Sequence, residues 1–153
     1  MILGQLLGRL LRQLCLALAL FVSVGSHANP INTGNLDAQL FSVPSQIAPG
    51  ATFTLLLEHK IRPGWHTYWV NPGDSGAATR LTWRSPEDFQ FGEINWPYPE
   101  RIAYGPLMNF GYHDRVLYPI EVTAPESLTG DSVTFDVQGE WLVCADICIP
   151  ERG

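Results

Sequence analysis

Turn-forming residues punctuate this chain at short intervals, and that spacing limits what it can fold into. Pro49-Gly50, Arg62-Pro63-Gly64, Asn71-Pro72-Gly73-Asp74-Ser75-Gly76 and Thr129-Gly130-Asp131 separate runs of apolar and β-branched residues. Proline lacks the amide donor that a helix interior needs, and glycine makes a helix entropically costly. With twelve prolines and fourteen glycines spread along the chain, no stretch supports a helix beyond one or two turns. The intervening runs have the two-residue period of a half-buried strand. Leu36 to Val43 alternates apolar and polar residues, Thr52 to Glu58 is β-branched and apolar, and Arg80 to Trp83 is short and mixed. Arg115 to Val122 places Val116, Tyr118, Ile120 and Val122 on one face, and Ser132 to Gln138 does the same with Val133, Phe135 and Val137. Short strands with turns at this spacing predict an all-β sandwich or barrel. Its core is expected to take Trp65, Trp69, Trp83 and Trp96, and Asn71 to Gly76 is expected to be a solvated turn.

Asn95 to Tyr112 breaks the pattern. It carries Trp96-Pro97-Tyr98-Pro99, Ile102-Ala103-Tyr104-Gly105-Pro106 and Asn109-Phe110-Gly111-Tyr112. Prolines and glycines interrupt it, so it reads as a long loop. A long loop in a compact domain is usually functional, and this one is too aromatic for disorder. It is expected to fold over something and cover it.

The N-terminus reads as a processing signal. Arg9 and Arg12 precede an apolar run of eleven residues, Leu14 to Val24, and Ser26-His27-Ala28 offers small residues at a cleavage site. That is the layout of a secretory leader over residues 1–28. The run is shorter than the ~20 residues a helix needs to span a bilayer. The alternative is an uncleaved anchor. Removing the leader takes Cys15 with it and leaves seven basic against fifteen acidic residues, a formal charge of −8. An acidic surface argues against nucleic acid and anionic membranes as partners. The remaining residues, 29–153, suffice for one domain with one core. The chain ends at Pro150-Glu151-Arg152-Gly153. No closing strand is expected after Cys148, so the chain reads as a piece of a longer protein.

Export places Cys144 and Cys148 in an oxidising compartment, where a disulfide persists. An even count, four positions apart, suggests that they pair with each other. Four chemistries compete for the pair. A structural disulfide over so small a ring gains only about 2 kcal/mol of chain entropy, against about 3 for a fifteen-residue loop. Redox exchange suits a close pair, because one thiolate attacks a partner and the second resolves the mixed disulfide. Asp146 between the cysteines opposes thiolate formation, so reactivity has to come from the surrounding fold or from the partner. Cu(I) binding is a third reading, with His59, His66, His113 and Met108 as ligands by type but none at a specific spacing. A cysteine hydrolase is the fourth, and no base or oxyanion site points to it.

Three stretches together resemble a known family. They are Pro63-Gly64-Trp65-His66-Thr67-Tyr68-Trp69, Tyr112-His113-Asp114-Arg115-Val116-Leu117-Tyr118-Pro119-Ile120, and Gln138-Gly139 through Cys144-Ala145-Asp146 to Cys148-Ile149-Pro150-Glu151. The chain resembles the N-terminal periplasmic domain of DsbD-type protein-disulfide reductases, in particular the branch associated with suppression of copper sensitivity. The resemblance implies an immunoglobulin-like β-sandwich with a cap loop over a redox-active cysteine pair. It implies that Cys144 and Cys148 are catalytic, with Cys148 attacking and Cys144 resolving. Tyr104 and Gly105 fall at the cap, and His66 and Tyr68 on the wall around the cysteines. The implied function is thiol-disulfide interchange without a bound cofactor. Electrons would arrive from a membrane-embedded domain and leave to periplasmic thioredoxin-like or disulfide-isomerase-like proteins, a role tied to copper tolerance and cytochrome c biogenesis. The full-length protein would sit in the inner membrane. The best-known relatives space their cysteines more widely, and their acidic cap residues have no counterpart beside Arg101-Ile102-Ala103. A periplasmic copper-binding or copper-delivery module using the same cysteines is the alternative.

The exported protein is expected to begin at Asn29. Intact mass spectrometry of a periplasmic extract checks this. A mass that retains Cys15 would show an anchor instead.

Overall fold

The computed structural model describes residues 28–84 and 88–153. The expected leader, residues 1–28, lies outside the described residues except for Ala28. Among the described residues there are eleven strands and no helix. They are β1 (Ile31–Asn32), β2 (Leu36–Ser42), β3 (Thr52–Ile61), β4 (His66–Gly73), β5 (Arg80–Arg84), β6 (Gln90–Ile94), β7 (Glu100–Tyr104), β8 (Leu107–His113), β9 (Arg115–Thr123), β10 (Asp136–Cys144) and β11 (Cys148–Arg152). One sheet runs β1-β2-β3-β9-β6, and the other runs β11-β10-β4-β8-β7 with β5 also paired to β10. All pairings are antiparallel.

The two sheets close on one core. Period-two alternation decides which side chains enter it. Phe53, Leu55 and Leu57 on β3 stand opposite Val122, Ile120 and Tyr118 on β9, and all six are buried. Tyr112, Trp141 and Val143 meet them from the second sheet. Each fully buried aliphatic side chain here contributes about 1.5–3 kcal/mol relative to exposure. Trp65, Trp69, Trp83 and Trp96 pack around this core as expected. Trp83 stacks on Phe91 at 4.4 Å.

Two buried carboxylates are compensated. Glu58 on β3 meets Arg115 Nε at 2.5 Å and Lys60 Nζ at 3.4 Å. Glu151 on β11 accepts from Asn35 N at 2.8 Å, Asn35 Nδ2 at 2.7 Å and Thr33 Oγ1 at 2.5 Å. Thr33 and Asn35 lie between β1 and β2, so Glu151 ties one sheet to the other. Trp141 Nε1 donates to the same Thr33 hydroxyl at 3.4 Å.

The structure corrects several sequence expectations. Asn95 to Tyr112 is not a loop: Glu100–Tyr104 and Leu107–His113 form a β-hairpin. Its prolines lie outside the paired segments, at positions 97, 99 and 106, so they cost no ladder bonds. Gly105 takes the first central position of the turn with φ 58°, a conformation that favours glycine. A strand does close the cysteine motif: β11 begins at Cys148 and folds back along β10 through Trp141–Glu151 and Leu142–Pro150 pairs. The strand expected over Ser132 to Gln138 starts only at Asp136 and continues to Cys144. Val133 and Phe135 pack on the core from the preceding segment, with Phe135 5.0 Å from Phe89. Asn71 to Gly76 is more than a solvated turn. Asp74 Oδ2 accepts from Met108 N at 2.8 Å, and Asn109 Oδ1 accepts from Ser75 N at 3.0 Å and Ser75 Oγ at 3.1 Å.

His59 sits in this core with no hydrogen-bond partner for either ring nitrogen among the described residues. It lies edge-on to Trp141 at 4.5 Å and to Tyr118 at 5.1 Å. Burial pushes its pKa down from 6.5 to about 3. The unfolded chain therefore binds one more proton between those values. Stability from this residue is complete above pH 6.5 and is lost as pH falls toward 3. Unfolding free energies from urea titrations between pH 7 and pH 4 should fall more steeply for the parent than for His59→Leu, by up to about 1.4 kcal/mol per pH unit. Parallel curves would refute the assignment.

Candidate functional site

The cysteine pair sits at the end of a two-stranded hairpin. Cys144 closes β10, Cys148 opens β11, and the two are facing partners in the ladder. Ala145, Asp146 and Ile147 form the turn between them. The sulfurs are joined in a disulfide at 2.08 Å. The pair is asymmetric. Cys144 is 1% exposed, because it faces the core side and also pairs with His66 on β4. Cys148 is exposed, as is Ile147 beside it at 64%.

β4 supplies the wall. Tyr68 is buried, and its hydroxyl lies 3.7 Å from Cys148 Sγ. The turn after β4 presses the ring into place. Gly76 has φ 99°, and a Cβ built there would stand 2.2 Å from Tyr68 Cε1, so only glycine lets the backbone pass. His66 Nε2 lies 3.2 Å from the Tyr68 hydroxyl. Burial, then the neighbouring His113, lowers the His66 pKa. Burial, then Tyr104, raises that of Tyr68, so the phenol stays protonated at neutral pH.

The β7–β8 hairpin brings the remaining groups. Tyr104 at its tip donates from Oη to the Asp146 carbonyl at 2.8 Å and is 42% exposed. Gly105 beside it faces open space. The tip thus touches the cysteine turn through one hydrogen bond and leaves Cys148 exposed. At the other end of β8, His113 faces His66 in the ladder with ring centroids 5.7 Å apart. Its Nδ1 meets Glu100 Oε2 at 2.9 Å.

The structure therefore brings Cys144, Cys148, Tyr104, His66 and Tyr68 into one place, with Gly105 at the adjoining tip. Glu100 and the pairing of His113 with His66 escape a sequence reading, which meets His113 only as a metal-ligand type. Their signal is the β4–β8 register, and it requires knowing that those strands are neighbours. Trp141 turns away from the sulfurs onto His59. Of the metal-ligand types, His59 is in the core. Among the described residues no group of three or more His, Cys, Asp or Glu side chains is placed to hold a metal ion.

Residues 37–153 match the family described as thiol:disulfide interchange protein DsbD, N-terminal. The chain belongs to this family. The N-terminal periplasmic domain of ScsB from Proteus mirabilis has a similar fold, with a TM-score of 0.63 and 22% identity. The match covers 84% of this chain and 49% of the ScsB domain, so the chain spans about half of that solved length. No curated protein matches the chain. The all-β sandwich inferred from the strand periods and the DsbD-type resemblance both hold. The matched residues include the bonded cysteine pair, which is the chemistry that the family's description names. Among the described residues no helix is long and apolar enough to cross a membrane.

After reduction, Cys148 should be alkylated by iodoacetamide at least about tenfold faster than Cys144, since access limits thiol reactivity. Peptide mass spectrometry after a short pulse measures the ratio. Equal labelling would contradict the burial of Cys144.

Proposed function

We propose that the domain of residues 29–153 reduces disulfides of exported partner proteins through Cys148, with Cys144 as the resolving thiol. The observation that supports this is the asymmetry of the pair: Cys148 is an exposed residue and Cys144, bonded to it, is buried. A partner's sulfur reaches only Cys148, so the mixed disulfide forms at a defined atom. Cys144 then stands within bonding reach of that same atom.

The electron balance is simple. The Cys148 thiolate forms a bond to one sulfur of the partner disulfide, and the other partner sulfur leaves with the electron pair of the broken bond. The Cys144 thiolate then attacks Cys148 Sγ and expels the second partner sulfur. Two electrons and two protons pass from the domain to the partner, and the Cys144–Cys148 bond is restored. The electrons stay on sulfur throughout, so this reading needs no bound cofactor.

The acceptors in this reading are periplasmic proteins of thioredoxin-like or disulfide-isomerase-like type. Their disulfides lie at accessible surfaces that an exposed Cys148 flanked by Ile147 can meet. A membrane-embedded electron-transfer domain of a longer protein, itself in the inner membrane, regenerates the reduced pair. Tyr104 and Gly105 act as the cap. The cap holds the cysteine turn through the Tyr104–Asp146 hydrogen bond, which a docking partner can displace. His66 and Tyr68 form the wall. Copper delivery by the same cysteines requires free thiolates and at least one further ligand, and no described geometry favours it over exchange.

Reduced parent protein should transfer electrons to an oxidised thioredoxin-like acceptor, and Cys148→Ser should abolish transfer. Cys144→Ser should instead trap a mixed disulfide through Cys148, visible as a dithiothreitol-sensitive adduct on a non-reducing gel. Transfer by Cys148→Ser at the parent rate would end the proposal.

A further inference from the structure

Three successive contacts lead from Cys148 through the buried Tyr68 and His66 to the half-exposed His113. Cys148 Sγ lies 3.7 Å from Tyr68 Oη, Tyr68 Oη lies 3.2 Å from His66 Nε2, and the His66 ring lies 5.7 Å from that of His113. Glu100 holds His113 from the far side at 2.9 Å. The exchange reaction above needs a thiolate at Cys148 but assigns no group to receive its proton. This inference rests on that reading and deepens it.

We infer that His66 takes up the Cys148 proton through the Tyr68 hydroxyl, so that the sulfur becomes a thiolate as the imidazole becomes charged. The step balances. The thiol proton moves to Tyr68 Oη, the proton already on Oη moves to His66 Nε2, and the electron pair stays on Cys148 Sγ. The result is a thiolate, a neutral phenol and an imidazolium. When the thiolate attacks, the departing partner sulfur takes the proton back.

The geometry favours this direction for three reasons. First, a phenol has one proton and cannot donate to both neighbours. Once His66 carries a proton on Nε2, it donates to Tyr68, and the Tyr68 proton is then free for the sulfur. The imidazolium thus stabilises the thiolate through an intervening donor. Second, Tyr68 is immobilised by Gly76 against its ring, so the contact does not depend on a mobile side chain. Third, burial, then His113, lowers the His66 pKa, so the imidazole is neutral and open to a proton at neutral pH, while the same shift makes it a weaker base and keeps the ion pair a minority species. The titratable groups around it are Tyr68 on its own strand, His113 on β8, Glu100 on β7 behind His113, Tyr104 at the hairpin tip, and the two cysteines with Asp146 in their turn. Asp146 opposes a thiolate. A proton acceptor for the thiol offsets that effect.

A thiol and an imidazole linked in this way titrate as a pair. The reactive ion pair holds the same number of protons as the neutral pair. Thiolate is therefore present below the ordinary thiol pKa, and the pH profile acquires a shoulder. Tyr68 touches the reacting sulfur. His66 acts through it and is a positioning residue.

The test is single-turnover stopped-flow reaction of the reduced chain with dithiobis(nitrobenzoate) from pH 5 to pH 9. The parent should show a two-step profile with a shoulder on the acid side. His66→Phe should show one step at the thiol pKa and react about tenfold more slowly near pH 6.5, a modest general-base effect. Tyr68→Phe should match it, and the double variant should be no slower than either single one. His113→Ala should move the acid limb to higher pH, because it removes the charge that lowers the His66 pKa. Thermal melts of the oxidised proteins separate these effects from misfolding, and if His66→Phe does not fold, Tyr68→Phe and His113→Ala carry the test. A parent profile with one step, or additive losses in the double variant, overturns the relay. If Cys148 is required for acceptor reduction while the His66→Phe profile equals the parent's, the relay alone fails. If Cys148 is dispensable, the exchange reading fails with it.

Discussion

A buried carboxylate needs donors, and Glu151 finds its own in the turn between the first two strands. Two hydrogen bonds from Asn35 and one from Thr33 satisfy it. Leaving such a group unpaired costs more than each bond contributes when made. The contact fixes β11 to the opposite sheet only three residues from Cys148. β11 is a short edge strand, and it would otherwise be held only by β10 and its own side chains. Everything claimed for the sulfurs depends on this anchorage. If β11 swung free, Cys148 would lose its ladder position opposite Cys144 and its distance from Tyr68.

Around that anchored hairpin, the fold sorts chemistry by strand. β10 and β11 carry the sulfurs, β4 carries the phenol and the imidazole, and the β7–β8 hairpin carries a second imidazole, a carboxylate and the covering tyrosine. Strand neighbours with a fixed register hold such groups to within a fraction of an ångström, which loops do not. The irregularity in β4–β8 pairing, the bulge after Tyr68, lets the backbone cross the ring at Gly76. The same crossing shelters Tyr68 from solvent and keeps its hydroxyl directed at the sulfur.

Much of this was readable in the residues. The alternation of Val116, Tyr118, Ile120 and Val122 identified a core strand because burial on one face leaves a period of two, and the fold class followed. The cysteine motif was legible because its chemistry is concentrated within a few positions. The stretch from Asn95 to Tyr112 was misread. Its prolines look like breakers of the whole segment, whereas they fall between and beyond two paired runs. The strand after Cys144 was missed because Pro150 and its charged neighbours hide its character. An edge strand tolerates both, since one side of its backbone needs no partner. His113 and Glu100 were invisible as site members for a different reason. What places them is register between strands far apart in the chain, and no local pattern reports that.

Cys144 and Cys148 face each other across the first rung of a hairpin that backbone hydrogen bonds already close. Opening the sulfur bridge therefore frees almost no additional chain, and closing it demands almost no rearrangement. The backbone ladder, rather than the sulfur bridge, holds the two cysteines opposite each other.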